Sequence, residues 1–124
     1  MANRPRTIRS YRDLEVWQVA LKLIAEVYAV SARFPADERF VLTAQIRRAA
    51  VSVAANIAEG HARASKSEYR HFVSIARGST VEVDAEFHVA EMLGYVDAAH
   101  LVTAREHADH LSRMLTNLRR SLST

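Results

Sequence analysis

The stretch from Asp13 to Phe34, DLEVWQVALKLIAEVYAVSARF, decides the fold class. It contains no Gly or Pro and continues for about six helical turns. Projected at about 100° per residue, Glu15, Gln18, Lys22, Glu26 and Arg33 fall on one narrow arc. Leu14, Trp17, Leu21, Ile24 and Tyr28 form one apolar stripe. Val16, Val19, Leu23, Val27, Val30 and Phe34 form a second. A half-buried strand would alternate with period two, and this stretch does not. It predicts a helix, opened by Ser10 with Asp13 three residues on and stopped by Pro35.

Working outward, the same reading yields three more helices. The second is expected from about Glu38 to Glu59, ending at Gly60. The third starts at Ser65, which forms a capping pair with Glu68, and stops at Gly94. The fourth starts after Asp97 as N-cap and frays near Leu122. Its apolar residues, Leu101, Ala104, Ala108, Leu111, Leu115, Leu118 and Leu122, alternate three and four apart as a heptad seam. Short connections make sequential neighbours antiparallel. The expected fold is all-α, an antiparallel up-down-up-down four-helix bundle over residues 13–124, preceded by a flexible basic arm, residues 1–12.

Composition agrees. A chain of 124 residues is one domain with one core. Three Gly and two Pro are too few for the turns of an all-β domain. The absence of cysteine excludes disulfides, thiolate zinc sites and cysteine nucleophiles. Apolar runs are too short to cross a membrane, and the charged N-terminus leads into no signal-peptide core. The expected compartment is the cytoplasm. The net charge of +3 is distributed in blocks. Arg4, Arg6, Arg9 and Arg12 stand on the arm without an acid, residues 39–77 are basic, and residues 78–112 are acidic.

A bundle helix needs one apolar face. The two stripes of the first helix therefore predict a second burial surface, most simply another copy of the chain. Val16, Val19, Leu23, Val27 and Val30 are assigned to that interface. The second helix aligns Gln45, Arg48, Ser52, Asn56 and Glu59, with Ala44, Ala49 and Ala55 between them. The third aligns Glu68, His71, Gly78, Ser79, Glu82 and Glu86. Small residues beside charges let backbones approach closely. The expectation is a buried or interfacial polar stripe in which Arg48 pairs with Glu82, within or between subunits. Arg47 points the opposite way and is expected on the surface.

Several ordered motifs then carry a resemblance. They are Asp13-Leu14-Glu15-Val16-Trp17, Phe34-Pro35-Ala36-Asp37-Glu38-Arg39-Phe40, Gln45-Ile46-Arg47-Arg48-Ala49-Ala50-Val51-Ser52, Asn56-Ile57-Ala58-Glu59-Gly60, and Ala76-Arg77-Gly78-Ser79 with Glu82. Together, from about Tyr11 to Tyr95, they resemble the bacterial four helix bundle protein family, whose first members are encoded in intervening sequences of the 23S ribosomal RNA gene. The resemblance implies a ring-shaped homopentamer and no established enzymatic activity. It is similar to the accessory protein of diversity-generating retroelements, a basic pentameric barrel that binds nucleic acid and a reverse transcriptase.

The remaining chemistry is sparse. His100, His107 and His110 share the fourth helix, but two turns separate the first two, too far for one ion. No metal and no cofactor are expected. Arg105 and His110 match the R-x4-H spacing of HEPN ribonucleases, where an arginine stabilises a phosphorane and a histidine moves protons. This is the alternative reading. Arg39, Arg47, Arg63, Lys66, Arg70 and Arg77, with Arg4, Arg6, Arg9 and Arg12, offer phosphate contacts that add up over the copies of an oligomer. Tyr69, Phe72 and Phe40 lie in core phase, so base stacking is not expected. The sequence is thus read as a non-enzymatic self-assembling scaffold or adaptor. Its expected partners are other copies of itself, nucleic acid and a nucleic-acid enzyme, with no membrane.

Overall fold

The structure, a computed structural model, describes residues 7–123. Arg4 and Arg6 lie outside the described residues. Four helices follow one another: α1 (Glu15–Ser31), α2 (Leu42–His61), α3 (Lys66–Met92) and α4 (Ala98–Ser121). Each packs on the next, and α4 closes back on α1, as an up-down-up-down bundle requires. One pole therefore gathers the start of α1, the α2–α3 turn and the end of α4. The other holds the α1–α2 and α3–α4 connections. No described helix is long and apolar enough to cross a membrane.

The caps explain the boundaries. Ser10 and Asp13 do form a capping box, but it opens a short 3-10 turn at Tyr11–Asp13 rather than α1 itself. This turn takes in Tyr11 and Arg12, the last two residues of the expected arm. Pro35 leads into a second 3-10 turn, Ala36–Glu38, so α2 starts later than expected. The Glu38 carboxylate then accepts from the Leu42 backbone N–H at 3.2 Å, capping α2 from outside. Ser65 Oγ accepts from the Glu68 N–H at 3.1 Å and starts α3. Asp97 and His100 form a reciprocal cap on α4. Gly94 ends α3 with φ 77°, and the Tyr95 N–H reaches back to the Ala90 carbonyl at 3.0 Å, the hydrogen bond of a Schellman cap.

Gly60 corrects another expectation. It lies inside α2 instead of ending it. A Cβ there would stand 2.9 Å from Phe72 Cβ and 3.0 Å from a Tyr69 ring carbon. Its missing side chain lets α3 close on α2.

The core is one apolar cluster drawn from all four helices, with Leu23, Ile46, Ile57, Phe87, Leu101, Leu111 and Leu115 fully enclosed. It also corrects the predicted interface. Val16, Val19, Leu23, Val27 and Val30 are all buried within the single chain, so they are core residues and offer no surface to a second copy. The other stripe of α1 is the one left partly open. Leu21 and Tyr28 are exposed, and Leu14, Trp17 and Ile24 are half-buried. A helical wheel shows two stripes equally well. Only the docking of α2 and α4 decides which one faces inward.

Candidate functional site

The polar stripes of α2 and α3 meet only in part. Ser52 Oγ and Ser79 Oγ lie 3.0 Å apart across the seam. Asn56 Nδ2 donates back to the Ser52 carbonyl at 2.8 Å and to its hydroxyl at 3.0 Å. These three side chains are half-buried and satisfy one another. Glu59 turns away and accepts from Arg63 at 2.6 Å. Gln45, Arg48 and Glu82 are exposed.

Arg48 and Glu82 form no ion pair in the chain, which corrects the expectation of a buried intramolecular pair. Among the described residues neither has an ion-pair partner at all. Instead, its neighbour Arg47 is the anchored arginine. Its Nε donates to Ser31 Oγ at 2.8 Å, and its guanidinium lies 4.5 Å from the Tyr28 ring centroid. Consecutive helical residues point about 100° apart, so one of the pair faces α1 and the other faces solvent. Arg47, expected on the surface, is instead half-buried against α1, and of the two pairings expected for Arg48 the one within the subunit is absent.

The sequence pattern places Glu86 on the polar arc, and the structure encloses it. It is 5% exposed, and neither carboxylate oxygen has a hydrogen-bond partner. Burial, with a smaller contribution from the Glu82 charge, pushes its pKa up to about 7. The signal available in the sequence was its position, one turn from Val83 and beside Phe87, at the edge of the core stripe.

Around this seam the outward side of α2 and α3 is small and apolar. Val51 and Ala55 are exposed on α2, and Ile75, Gly78, Ala85 and Val89 on α3. Val51 alone leaves 45% of its surface open. Charges along these stripes include Arg48 and Glu59 on α2 and Glu68, Glu82 and the buried Glu86 on α3.

The basic residues fall into two groups. Arg63 is committed locally, to Glu59 and, at 3.9 Å, to Glu68, with its guanidinium over Phe72. Arg12 stacks on Tyr11. Arg77 Nε donates to Thr116 Oγ1 at 3.0 Å. Lys66 and Arg70 have no ion pair among the described residues, nor have Arg119 and Arg120. Lys66, Arg70, Arg119 and Arg120 all belong to the pole where α3 begins and α4 ends.

The fourth helix keeps the paired residues of the alternative apart. Arg105 reaches α3, donating to Glu91 at 2.8 Å and lying 3.2 Å from His88 Nδ1. His110 faces α1 and, with His107, lines a cavity of about 610 Å³ beside Asp13, Glu15 and Lys22. One chain therefore does not bring this Arg and His to one reacting atom. His100 is spent on the α4 cap. Among the described residues no three ligating side chains are placed to share a metal ion.

The sequence pattern of the 23S rRNA-intervening sequence proteins matches residues 12–117. The chain belongs to that family. Its bundle is also similar to a crystal structure of a protein of unknown function from the S23 ribosomal protein family of Bacteroides thetaiotaomicron. The TM-score is 0.77 at 17% identity, over 84% of this chain and 97% of that one. At that identity the likeness speaks for the fold alone. No curated protein matches the chain. The match takes in α1 to α3 and most of α4.

Proposed function

We propose that this family member is a non-enzymatic scaffold that assembles into a closed homo-oligomer, a pentamer on the family resemblance, and presents basic poles to nucleic acid or a nucleic-acid enzyme. The observation that carries the reading is the outward α2–α3 face. It is small and apolar, and it holds an exposed cation, Arg48, and an exposed anion, Glu82, neither of them ion-paired among the described residues. A face with both charges is complementary to another copy of itself. Docking would cover Val51, Ile75 and Val89, and would bring a neighbour's Arg48 toward Glu82. Gly78, Ser79 and Ala55 permit the close approach that such a pairing needs.

Light scattering tests this. The expected mass at micromolar concentration is several times 13.9 kDa. Arg48→Glu should dissociate the assembly while leaving the helical signal intact, because Arg48 is exposed. The combination Arg48→Glu with Glu82→Arg should restore it. A wild-type mass of 13.9 kDa at high concentration, or an Arg48→Glu variant of unchanged mass, would sink the reading.

A further inference from the structure

At the pole where α3 begins and α4 ends lies a surface cavity of about 440 Å³, lined by Arg70, Thr116, Arg119, Arg120 and Ser123. Among the described residues every lining side chain is a cation or a hydroxyl, and none is a carboxylate. Arg70 comes from the second turn of α3. Arg119 and Arg120 come from the last turn of α4. Two basic residues at a helix C-terminus have a local reason to be there, since they oppose the negative end of the helix dipole. That reason does not extend to Arg70, which belongs to the opposite helix and is half-buried. Thr116 adds a directional element. Its Oγ1 already accepts from Arg77 Nε, so its own O–H is left to donate outward.

We propose that this cavity binds a phosphate monoester. Three guanidinium groups from two helices, none ion-paired among the described residues, repel one another until an anion sits between them. Guanidinium forks match phosphate oxygens in pairs. A monoester presents three terminal oxygens and close to two negative charges at neutral pH. An internal diester presents two free oxygens and one charge. The donor set, three forks and one hydroxyl, fits the former better. The volume leaves room for the group to which the phosphate is attached. The shared chemistry has two sources, the phosphorylated end of a nucleic-acid strand and a free small phosphate. The cavity is complete within one chain and needs no neighbouring copy, so its test is independent of assembly.

The experiment uses the full chain. Fluorescence anisotropy compares one labelled oligonucleotide carrying a 5′-phosphate with the same strand ending in a 5′-hydroxyl. The phosphorylated strand should bind at least about tenfold tighter. Inorganic phosphate should compete for that difference and leave the hydroxyl strand's weaker binding in place. Arg119→Ala with Arg120→Ala, both at exposed positions, should erase the preference without changing oligomer mass. Arg70→Ala, checked for folding by circular dichroism, should do the same. If a nucleoside monophosphate competes as well as the phosphorylated strand, the site stands and its source is a small molecule. If it competes far more weakly, the site stands and its source is a strand end. Equal affinity for the two strands, or a preference that survives the double substitution, overturns the proposal.

Discussion

Glu86 is the most exposed to test of all the side chains in the bundle, because its environment makes a signed prediction. The carboxyl is enclosed, lacks a hydrogen-bond partner, and has Glu82 one turn away. Its pKa rises from the ordinary 4.5 to about 7. In the unfolded chain it ionises at its ordinary value. Between the two values the folded chain holds a proton that the unfolded chain has lost. The part of the stability that depends on Glu86 is therefore full below about pH 4.5, falls as pH rises toward 7, and then levels off. The rise corresponds to a penalty on the order of 3 kcal/mol for the ionised form. Glu86→Gln keeps the size and removes the charge. Urea unfolding of both proteins is compared at pH 5 and pH 8, at a concentration where light scattering gives a single subunit. At pH 8 the variant should be more stable by up to about 3 kcal/mol, a midpoint shift of roughly 1–2 M urea. At pH 5 the gap should have shrunk to a small fraction of that. Profiles that run parallel from pH 5 to pH 8 would show that the carboxylate is solvated or paired, and the burial argument would fail.

Arg47→Ala should cost about 1–2 kcal/mol, the value of one charged hydrogen bond to Ser31 and one ring contact with Tyr28, whereas Arg48→Ala should stay within about 0.5 kcal/mol in the isolated subunit. Thermal unfolding of the two variants side by side checks this, and equal effects would refute it. Gly60→Ala should destabilise by about 1–3 kcal/mol despite alanine's better helix propensity, because the new methyl collides with Phe72 and Tyr69. Gly78→Ala, where a Cβ meets nothing within 4 Å, should stabilise the single subunit by about 0.5–1 kcal/mol. Gly94→Ala should lose about 1 kcal/mol or more through its positive φ, although the space around it is open. Chemical denaturation of these three glycine variants checks two losses of different cause and one gain.

Helix number, order and most ends were legible in the sequence because local chemistry sets them. Ser65, Asp97 and Gly94 act within their own turns, and neighbouring residues are all they need. The α1–α2 connection was misread because its 3-10 turn depends on Glu38 finding partners at Leu42 and Tyr95, and Tyr95 is distant in sequence. The interior face of α1 was missed for a similar reason. Both apolar stripes satisfy the helical period, and the choice between them belongs to the neighbouring helices. The exposure of Arg47 was misjudged for the same reason at the scale of one residue, since Ser31 and Tyr28, which hold it, belong to α1. Of the expected polar stripe, Ser52, Asn56 and Ser79 do form a seam, since short side chains bond where the backbones lie close. The longer charged ones swing outward. The cavity at the basic pole was invisible, because Arg70 and Arg119 come together only through the antiparallel packing of α3 and α4.

The aromatic residues are spread along the bundle in a way that furnishes two native optical probes. Trp17, the only tryptophan of the sequence, sits near the start of α1 with its ring edge-on to Tyr11, at a centroid separation of 5.1 Å. Tyr95 lies at the opposite pole, where its hydroxyl donates to Glu38 at 2.6 Å and the phenol pKa is pushed upward, chiefly by that bond. Tryptophan emission therefore follows the undocking of α1 at one pole. Tyrosine absorbance in alkaline solution, taken as the difference from a Tyr95→Phe variant because the chain has four tyrosines, follows release of the Glu38 bond at the other. Transitions that coincide at the two wavelengths mean that the bundle melts as one cooperative unit, and transitions that separate mean that one pole opens before the other.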